Sequence, residues 1–425
     1  VTDDATAPVR EDVIEPIDPS PRFGAWIRSE LTHLVQDGLV RPRRVVRGLP
    51  HGECELDGRR VISFATNDYL DLAGDARVLE AAVRALREYG SGARSSPLIV
   101  GRSPWHAELE ARLAQFEGAE AALLFPTGYA ANVGTITALV HRGDCVYCDR
   151  LNHASLIDGC RLSGAKLRVY PHGDVDRLRR LLARDKDTPR RLIVTDGLFS
   201  MDGDLAPLVA LGELARQSGA WLLVDEAHGT GVYGARGRGA CEACGLEGPE
   251  LIRVGTLSKA IGGLGGFVAG TRELIDLLWH QARTQMFSTA LPPSVCGAAR
   301  QAVDLIESEP ERRLRLRDSA HWFRQRLTGH GLSALGEPDS PIVPIPVGEA
   351  SAAVQLTEAL LSRGLLVPAI RPPTVPRGGA RLRISLSCAH PASSFERLAD
   401  TLAELMHGKS EDPQCGGDDS SGQQA

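Results

Sequence analysis

Lysine is scarce in this 425-residue chain: Lys166, Lys186, Lys259 and Lys409 are the only four, although Lys and Arg together number 48. Arginine carries almost all the positive charge, so a retained lysine calls for a reason that arginine cannot meet. Long basic runs are also missing. With a formal net charge of −6, nucleic acid is not expected as the main partner. No apolar run approaches the roughly 20 residues that cross a bilayer, so no membrane partner is expected either. The opening VTDDATAPVREDVIEPIDPSP is acidic and lacks an apolar stretch; it resembles neither a signal peptide nor an anchor, and a cytoplasmic location is the expectation. The nine cysteines are an odd number, which in that compartment favours reduced thiols. Two pairs, Cys145/Cys148 and Cys241/Cys244, have a spacing that zinc could use. However, DCVYCD reads as a strand, in which residues three apart face opposite ways. No metal site is expected.

At 43% hydrophobic the chain can bury a large core, and its length suits a large domain with a smaller companion. Seven short apolar runs recur between about residues 122 and 271: AALLF, DCVYCD, KLRVYP, RLIVTD, WLLVDE, LIRVGT and GGFVAG. Helical or turn-forming stretches separate most of them, which predicts an α/β fold with a largely parallel sheet covered on both faces. SPWHAELEARLAQFEG shows the punctuation of a helix: Ser103 to cap it, Pro104 at its first position and Gly118 to end it. Its Trp105, Leu109, Leu113 and Phe116 form a core face. Beyond about residue 300 a long Arg/Glu-rich helix, PIVPIPV, AAVQLTEALLSRG, LLVPAI, RLRISLS and a last helix near FERLADTLAELM predict a smaller α+β domain. The expected division is a disordered extension over 1–20, an N-terminal segment over 21–60, a large domain over 61–305, a small domain over 306–408 and a disordered tail over 409–425.

Ligands of open α/β sheets lie beyond the carboxyl ends of the strands, and the runs here end in reactive residues. AALLF leads to Thr127, Gly128 and Tyr129 at a helix start, where free amides can cradle an anion. RLIVTD ends at Asp196 with Ser200 beyond it, WLLVD leads from Asp225 to His228, and LIRVGT leads from Thr256 to Lys259. An arginine can neither lose its proton nor form an imine; a desolvated lysine can do both. Pyridoxal 5′-phosphate (PLP) needs such a lysine, a carboxylate for its ring nitrogen, a phosphate cradle and a stacking group. Lys259, Asp225, the Thr127–Tyr129 cradle with Thr256, and His153 could supply them, with His228 donating to the phenolic oxygen. A competing pattern is GTGVYG (229–234), which fits G-x-G-x-x-G after a strand. A dinucleotide loop must open a helix, however, and ARGRGACEACG is too glycine-rich for that; Asp225 and Glu226 would also repel a pyrophosphate. A nicotinamide-dependent oxidoreductase is a distant alternative.

NDYL (67–70), FPTGYAAN (125–132), NHASLIDG (152–159), DGLFSMDGD (196–204), VDEAHGTGVYG (224–234), TLSKAIGG (256–263) and FSTALPP (287–293) together resemble the α-oxoamine synthases, in order from about residue 39 to 405. The resemblance implies fold type I of the PLP-dependent transferases, aspartate aminotransferase-like, with a mainly parallel seven-stranded sheet in the large domain and a smaller α+β C-terminal domain. It implies that Lys259 bonds to PLP and moves the Cα proton, that Asp225 pairs with the ring nitrogen and His228 with the phenolic oxygen, and that His153 stacks on the ring. Thr127, Gly128, Tyr129 and Thr256 would hold the phosphate, Ser200 would lie near the phenolic side, and Ser288 and Thr289 would reach the phosphate of a neighbouring subunit in a homodimer with shared active sites. Asn67 and Arg383 would bind the amino-acid carboxylate, with Thr374 and Arg41 lining the substrate site. AIRPPTVPRGGARLRISLSCAH (369–390) points to members that condense L-alanine with a pimeloyl thioester, carried on coenzyme A or an acyl carrier protein, in biotin synthesis. Two departures, GSGARSSPLIVG (90–101) and Asp71 in NDYLDL, leave another acyl donor or amino acid open. Plain aminotransfer or lyase chemistry and a silent partner subunit remain as alternatives.

Overall fold

The computed structural model describes residues 21–36 and 38–407; the segments expected to be disordered, 1–20 and 409–425, lie outside them. Of the described residues, those up to Val45 form one compact unit and those from Val46 another. The first contains the helix Pro21–Gln36, on which the rings of Phe23 and Trp26 stack with centroids 6.2 Å apart. Arg41 belongs to this unit and is exposed.

In the second unit all seven apolar runs are strands of one sheet, in the spatial order Ala121–Phe125, Gly266–Gly270, Leu251–Thr256, Trp221–Asp225, Arg191–Asp196, Cys145–Asp149 and Lys166–Tyr170. Neighbours from Leu251–Thr256 to Lys166–Tyr170 are parallel. Gly266–Gly270 runs antiparallel to both of its partners, because no helix separates it from the preceding strand and the chain simply turns back. Alternate residues feed opposite faces. Val146, Cys148, Val194 and Leu223 pack with the helices Gly128–Leu139 and Ala154–Leu162, whereas Cys145, Tyr147, Ile193 and Val224 pack with Val175–Arg184 and Leu208–Ser218. Cys145 and Cys148 thus fall on opposite faces, as strand alternation requires. The helix Pro104–Glu117 has the expected ends, with a Ser103/His106 capping box and Gly118 in the left-handed conformation.

Two expectations are refined. Pro293–Ser308 and Glu311–Gly329, the second of which is the expected long Arg/Glu-rich helix, are separate helices; Pro310 between them has no amide to continue the first. The first of these passes through the expected domain boundary at 305. LLVPAI is shared between two sheets. Leu365–Leu366 pairs in parallel with Arg59–Ser63, while Ala369–Ile370 joins Ile342–Gly348 and Ala380–Ser385 in an antiparallel three-stranded sheet. Among the described residues no helix is long and apolar enough to cross a membrane.

Register brings the reactive strand ends to one edge of the central sheet. Gly266 lies opposite both Phe125 and Thr256, and Asp225 lies opposite both Asp196 and Val254.

Candidate active site

Asp225 is buried at the last position of its strand. Its Oδ1 accepts the amide of Ala227 at 2.8 Å and its Oδ2 the side-chain amide of Asn132 at 2.6 Å. Asp196, on the next strand, is also buried and accepts the amide of His153 at 2.7 Å. Burial and the neighbouring Asp225 charge push its carboxyl well above the usual range. Lys259, in the turn after Leu251–Thr256, is near enough to both acids to feel their charge. Desolvation draws its amine down from 10.5 to about 8, opposed by Asp225 and Asp196 and helped by Arg383. An amine that gives up its proton far more readily than an ordinary lysine is what imine chemistry requires.

This depression sets two pH dependences. Between about pH 8 and 10.5 the unfolded chain binds the additional proton at Lys259. The penalty on the folded protein without cofactor is therefore complete below pH 8 and fades as pH rises through that window. Only the neutral amine attacks a carbonyl, so the rate at which cofactor-free protein takes up PLP covalently should rise with pH about a midpoint near 8. Stopped-flow absorbance measures it, and a midpoint at the ordinary lysine value would contradict the desolvated amine.

His228 is buried, and its ring is held far below the usual histidine range by burial and then by the charges of Lys259, Arg383 and His153. Its Nδ1 lies 2.7 Å from the hydroxyl of the fully buried Tyr69. His153 caps the helix Ala154–Leu162; the residue as a whole is exposed, while its Nδ1 edge packs against the buried Ser155. The glycines of GTGVYG form turns, not a helix start: Gly231 and Gly234 have φ of 82° and 86°, and a Cβ on Gly229 would stand 2.1 Å from Glu226 Oε2. The next helix, Ala240–Ala243, is four residues long.

The cradle is built by close backbone approach. Gly128 opens the helix Gly128–Leu139, whose N-cap Thr127 accepts the amide of Ala130 at 3.0 Å. A Cβ on Gly128 would lie 3.1 Å from Thr256 Oγ1, and one on Gly266 would lie 2.5 Å from the Thr127 carbonyl oxygen. Thr256 Oγ1 is 2.8 Å from Ser258 Oγ. Free amides and hydroxyls at a helix N-terminus suit a phosphate, and the group PLP needs around its ring lies on the same sheet edge; the residues fit this cofactor. Gly266→Ala should displace the cradle, lower stability by about 1–3 kcal/mol and weaken PLP affinity, as thermal melts and cofactor titration would report. An unchanged affinity would show that the close approach is not needed. Tyr129 is exposed and its hydroxyl donates to Asp158 at 2.5 Å, which leaves its amide, not its side chain, for a phosphate.

Arg383, from the C-terminal three-stranded sheet, is buried; its Nε donates to the carbonyl of Ser200 at 2.5 Å and its Nη1 to Ser385 Oγ at 2.8 Å. Asn67 Oδ1 lies 3.4–3.5 Å from both terminal nitrogens. This places Asn67, Ser200 and Arg383 together. Thr374 is exposed in a turn closed by its amide on the Arg371 carbonyl at 3.1 Å. Ser288 is half-buried and Thr289 exposed, just past the helix Arg283–Met286. Sequence reasoning missed Tyr69, Asn132 and Ser155 as site residues. Their signal was weak: polar side chains inside motifs quoted for other members.

The aminotransferase class I and II family model matches residues 59–402. The chain belongs to this family. Among curated members it is 49% identical to the 8-amino-7-oxononanoate synthase of Geobacter sulfurreducens, over 89% of this chain and 97% of that one. It is 51% identical to the synthase of the same name from Alkalilimnicola ehrlichii, over 87% and 95%. Among solved structures of the family, a serine palmitoyltransferase from S. paucimobilis with bound PLP–myriocin superposes with a TM-score of 0.86 at 33% identity, covering 91% of this chain and 98% of that one. The 8-amino-7-oxononanoate synthase of Francisella tularensis gives 0.72 at 29%, over 82% and 98%. The fold expected from sequence, fold type I, is thereby upheld, as is the resemblance to α-oxoamine synthases, and the protein is a PLP enzyme.

Proposed function

We propose that the chain condenses L-alanine with a pimeloyl thioester, on coenzyme A or an acyl carrier protein, to give 8-amino-7-oxononanoate, CO2 and the free thiol. The observation that carries this reading is the desolvated Lys259 amine, which feels the charges of Asp225 and Arg383, with Asn67 set against Arg383. The names and near-half identity of the curated relatives support it. Bound PLP supplies an electron sink for the bond-breaking steps at the amino-acid Cα. Asp225 holds the positive charge of the ring nitrogen, and His228 donates to the phenolic oxygen. Arg383 and Asn67 grip the alanine carboxylate; an arginine fork suits a planar carboxylate. Lys259 Nζ takes the Cα proton, and the carbon so freed forms its bond to the acyl carbonyl as the thiolate leaves. His153 assists the loss of CO2 from the β-keto acid, and Lys259 returns a proton to Cα. Ser288 and Thr289 serve the phosphate of a second copy in a homodimer, Thr374 lines the substrate site, and the reaction takes place in the cytoplasm.

The likeness to a serine palmitoyltransferase favours one second reading, the same condensation with another amino acid or acyl donor. A panel of alanine, glycine and serine against pimeloyl, acetyl and palmitoyl thioesters, with products weighed by mass spectrometry, decides between them. Preference for alanine with pimeloyl supports the synthase. Thiol release only with serine or glycine would replace it, and amino-group transfer without CO2 would overturn both.

A further inference from the structure

The ring of His153 sits at the end of a hydrogen-bond chain whose direction can be worked out from its fixed donors. The backbone amide of Ser155 donates to His153 Nδ1 at 3.3 Å. A backbone amide has only a proton to offer, so Nδ1 must present a lone pair. Ser155 Oγ lies 2.7 Å from the same nitrogen and must therefore donate its hydroxyl proton to it. With that proton committed, the oxygen accepts, and Asn132 Nδ2 donates to it at 2.9 Å. The other proton of Nδ2 goes to Asp225 Oδ2 at 2.6 Å. Flipping the Asn132 amide would turn its oxygen onto a carboxylate oxygen, so the buried polarity of Asp225 fixes its orientation. Asn132 and Ser155 are both buried, so no bulk water competes for these bonds.

We propose that Asn132 and Ser155 are positioning residues that hold His153 as the neutral imidazole with its single proton on Nε2. The wire runs from Asp225 through Asn132 and Ser155 to Nδ1, which leaves Nε2–H as the donor on the open side of the ring. A cationic ring would need a second N–H at Nδ1, facing the Ser155 amide and hydroxyl head-on. The charged groups around the ring are Asp225, Asp158 and Lys259, with Asp196 at its backbone amide, and the neighbouring His228 is itself neutral. The lowered basicity of His153, set first by desolvation, agrees with this arrangement. Functionally, and resting on the synthase reading above, the wire keeps Nε2–H available to the β-keto acid carbonyl during CO2 loss and ties that donor to the carboxylate that holds the ring nitrogen.

The tautomer is read directly by two-bond 1H–15N correlation in cofactor-free protein labelled with 15N-histidine, with His153 assigned from a His153→Gln sample. Wild type should show an unprotonated Nδ1 and a protonated Nε2 across the neutral range. Ser155→Ala removes the closer of the two donors to Nδ1, at 2.7 Å, and leaves only the backbone amide at 3.3 Å, so it should increase the Nδ1–H fraction and raise the titration midpoint of His153, and Ser155→Thr should restore the wild-type pattern. Asn132→Ala should shift it in the same direction as Ser155→Ala, which keeps the test open should either variant fold poorly. In the holoenzyme Ser155→Ala should lower kcat about tenfold or more with little change in KM for the amino acid. A proton on Nδ1 in wild type, or a Ser155→Ala spectrum identical to wild type, overturns the wire. A different substrate in the panel would overturn the synthase reading alone and leave the tautomer standing.

Discussion

Lys259→Ala should abolish covalent cofactor attachment and turnover together. Among the described residues alanine leaves no other amine to take its place: Lys166 is on the far side strand, exposed and paired with Asp185 at 3.3 Å, and Lys186 is exposed. The purified variant should lose the visible absorption given by a cofactor bonded to that amine, and turnover should fall on the order of 10⁴-fold or more, as when a residue both bonds and moves a proton. Asp225, Asn132 and the cradle are untouched, so PLP should still bind noncovalently by equilibrium dialysis. Retained visible absorption with turnover near wild type would remove Lys259 from the mechanism.

Asp225→Asn separates holding the cofactor from using it. The amide oxygen can still accept from the Ala227 amide, and the Asn132 side chain can turn its own oxygen to the new NH2 group, so the fold and the cradle should survive and PLP should remain bound. What is lost is the negative charge that keeps a proton on the ring nitrogen. A preorganised charge at a buried site is worth on the order of 10²–10³ in rate, and that fall in kcat is expected with a much smaller change in KM. Exchange of the alanine Cα proton with deuterium, followed by NMR without any acyl donor, should slow in parallel, because that step depends most directly on the sink. Exchange at the wild-type rate would show that the ring does not need this carboxylate.

Much of the site could be read from the strand ends. A parallel sheet buried on both faces writes itself as short continuous apolar runs, and the residues that close them share an edge once the strands are in register. Lys259 stood out because arginine is used nearly everywhere else, and Asp225 because it ends the run WLLVD. GTGVYG misleads when taken alone, since turn-forming glycines and a phosphate-binding loop have the same spacing; the acids before it and the missing helix after it separate the two. LLVPAI resisted, because its two strand segments pair with different sheets and local pattern carries no partner. The Arg/Glu-rich helix after residue 300 was legible, and Pro310 marks where the helix before it cannot continue.

The order of strands and helices, the buried nature of the sheet and the identity of the residues able to bear PLP chemistry were fixed by the sequence itself, since these follow from periodicity, turn residues and side-chain reactivity. The tertiary structure decided the rest. It set Asp196 directly beside Asp225, aimed Asn132 and Ser155 at one another from different helices, put Tyr69 on His228, and brought Arg383 to Asn67 across more than three hundred residues of chain. These are long-range contacts whose direction depends on register and on which buried donor finds which acceptor. No local pattern encodes that choice; it is settled only when packing excludes water and every buried proton must find a partner.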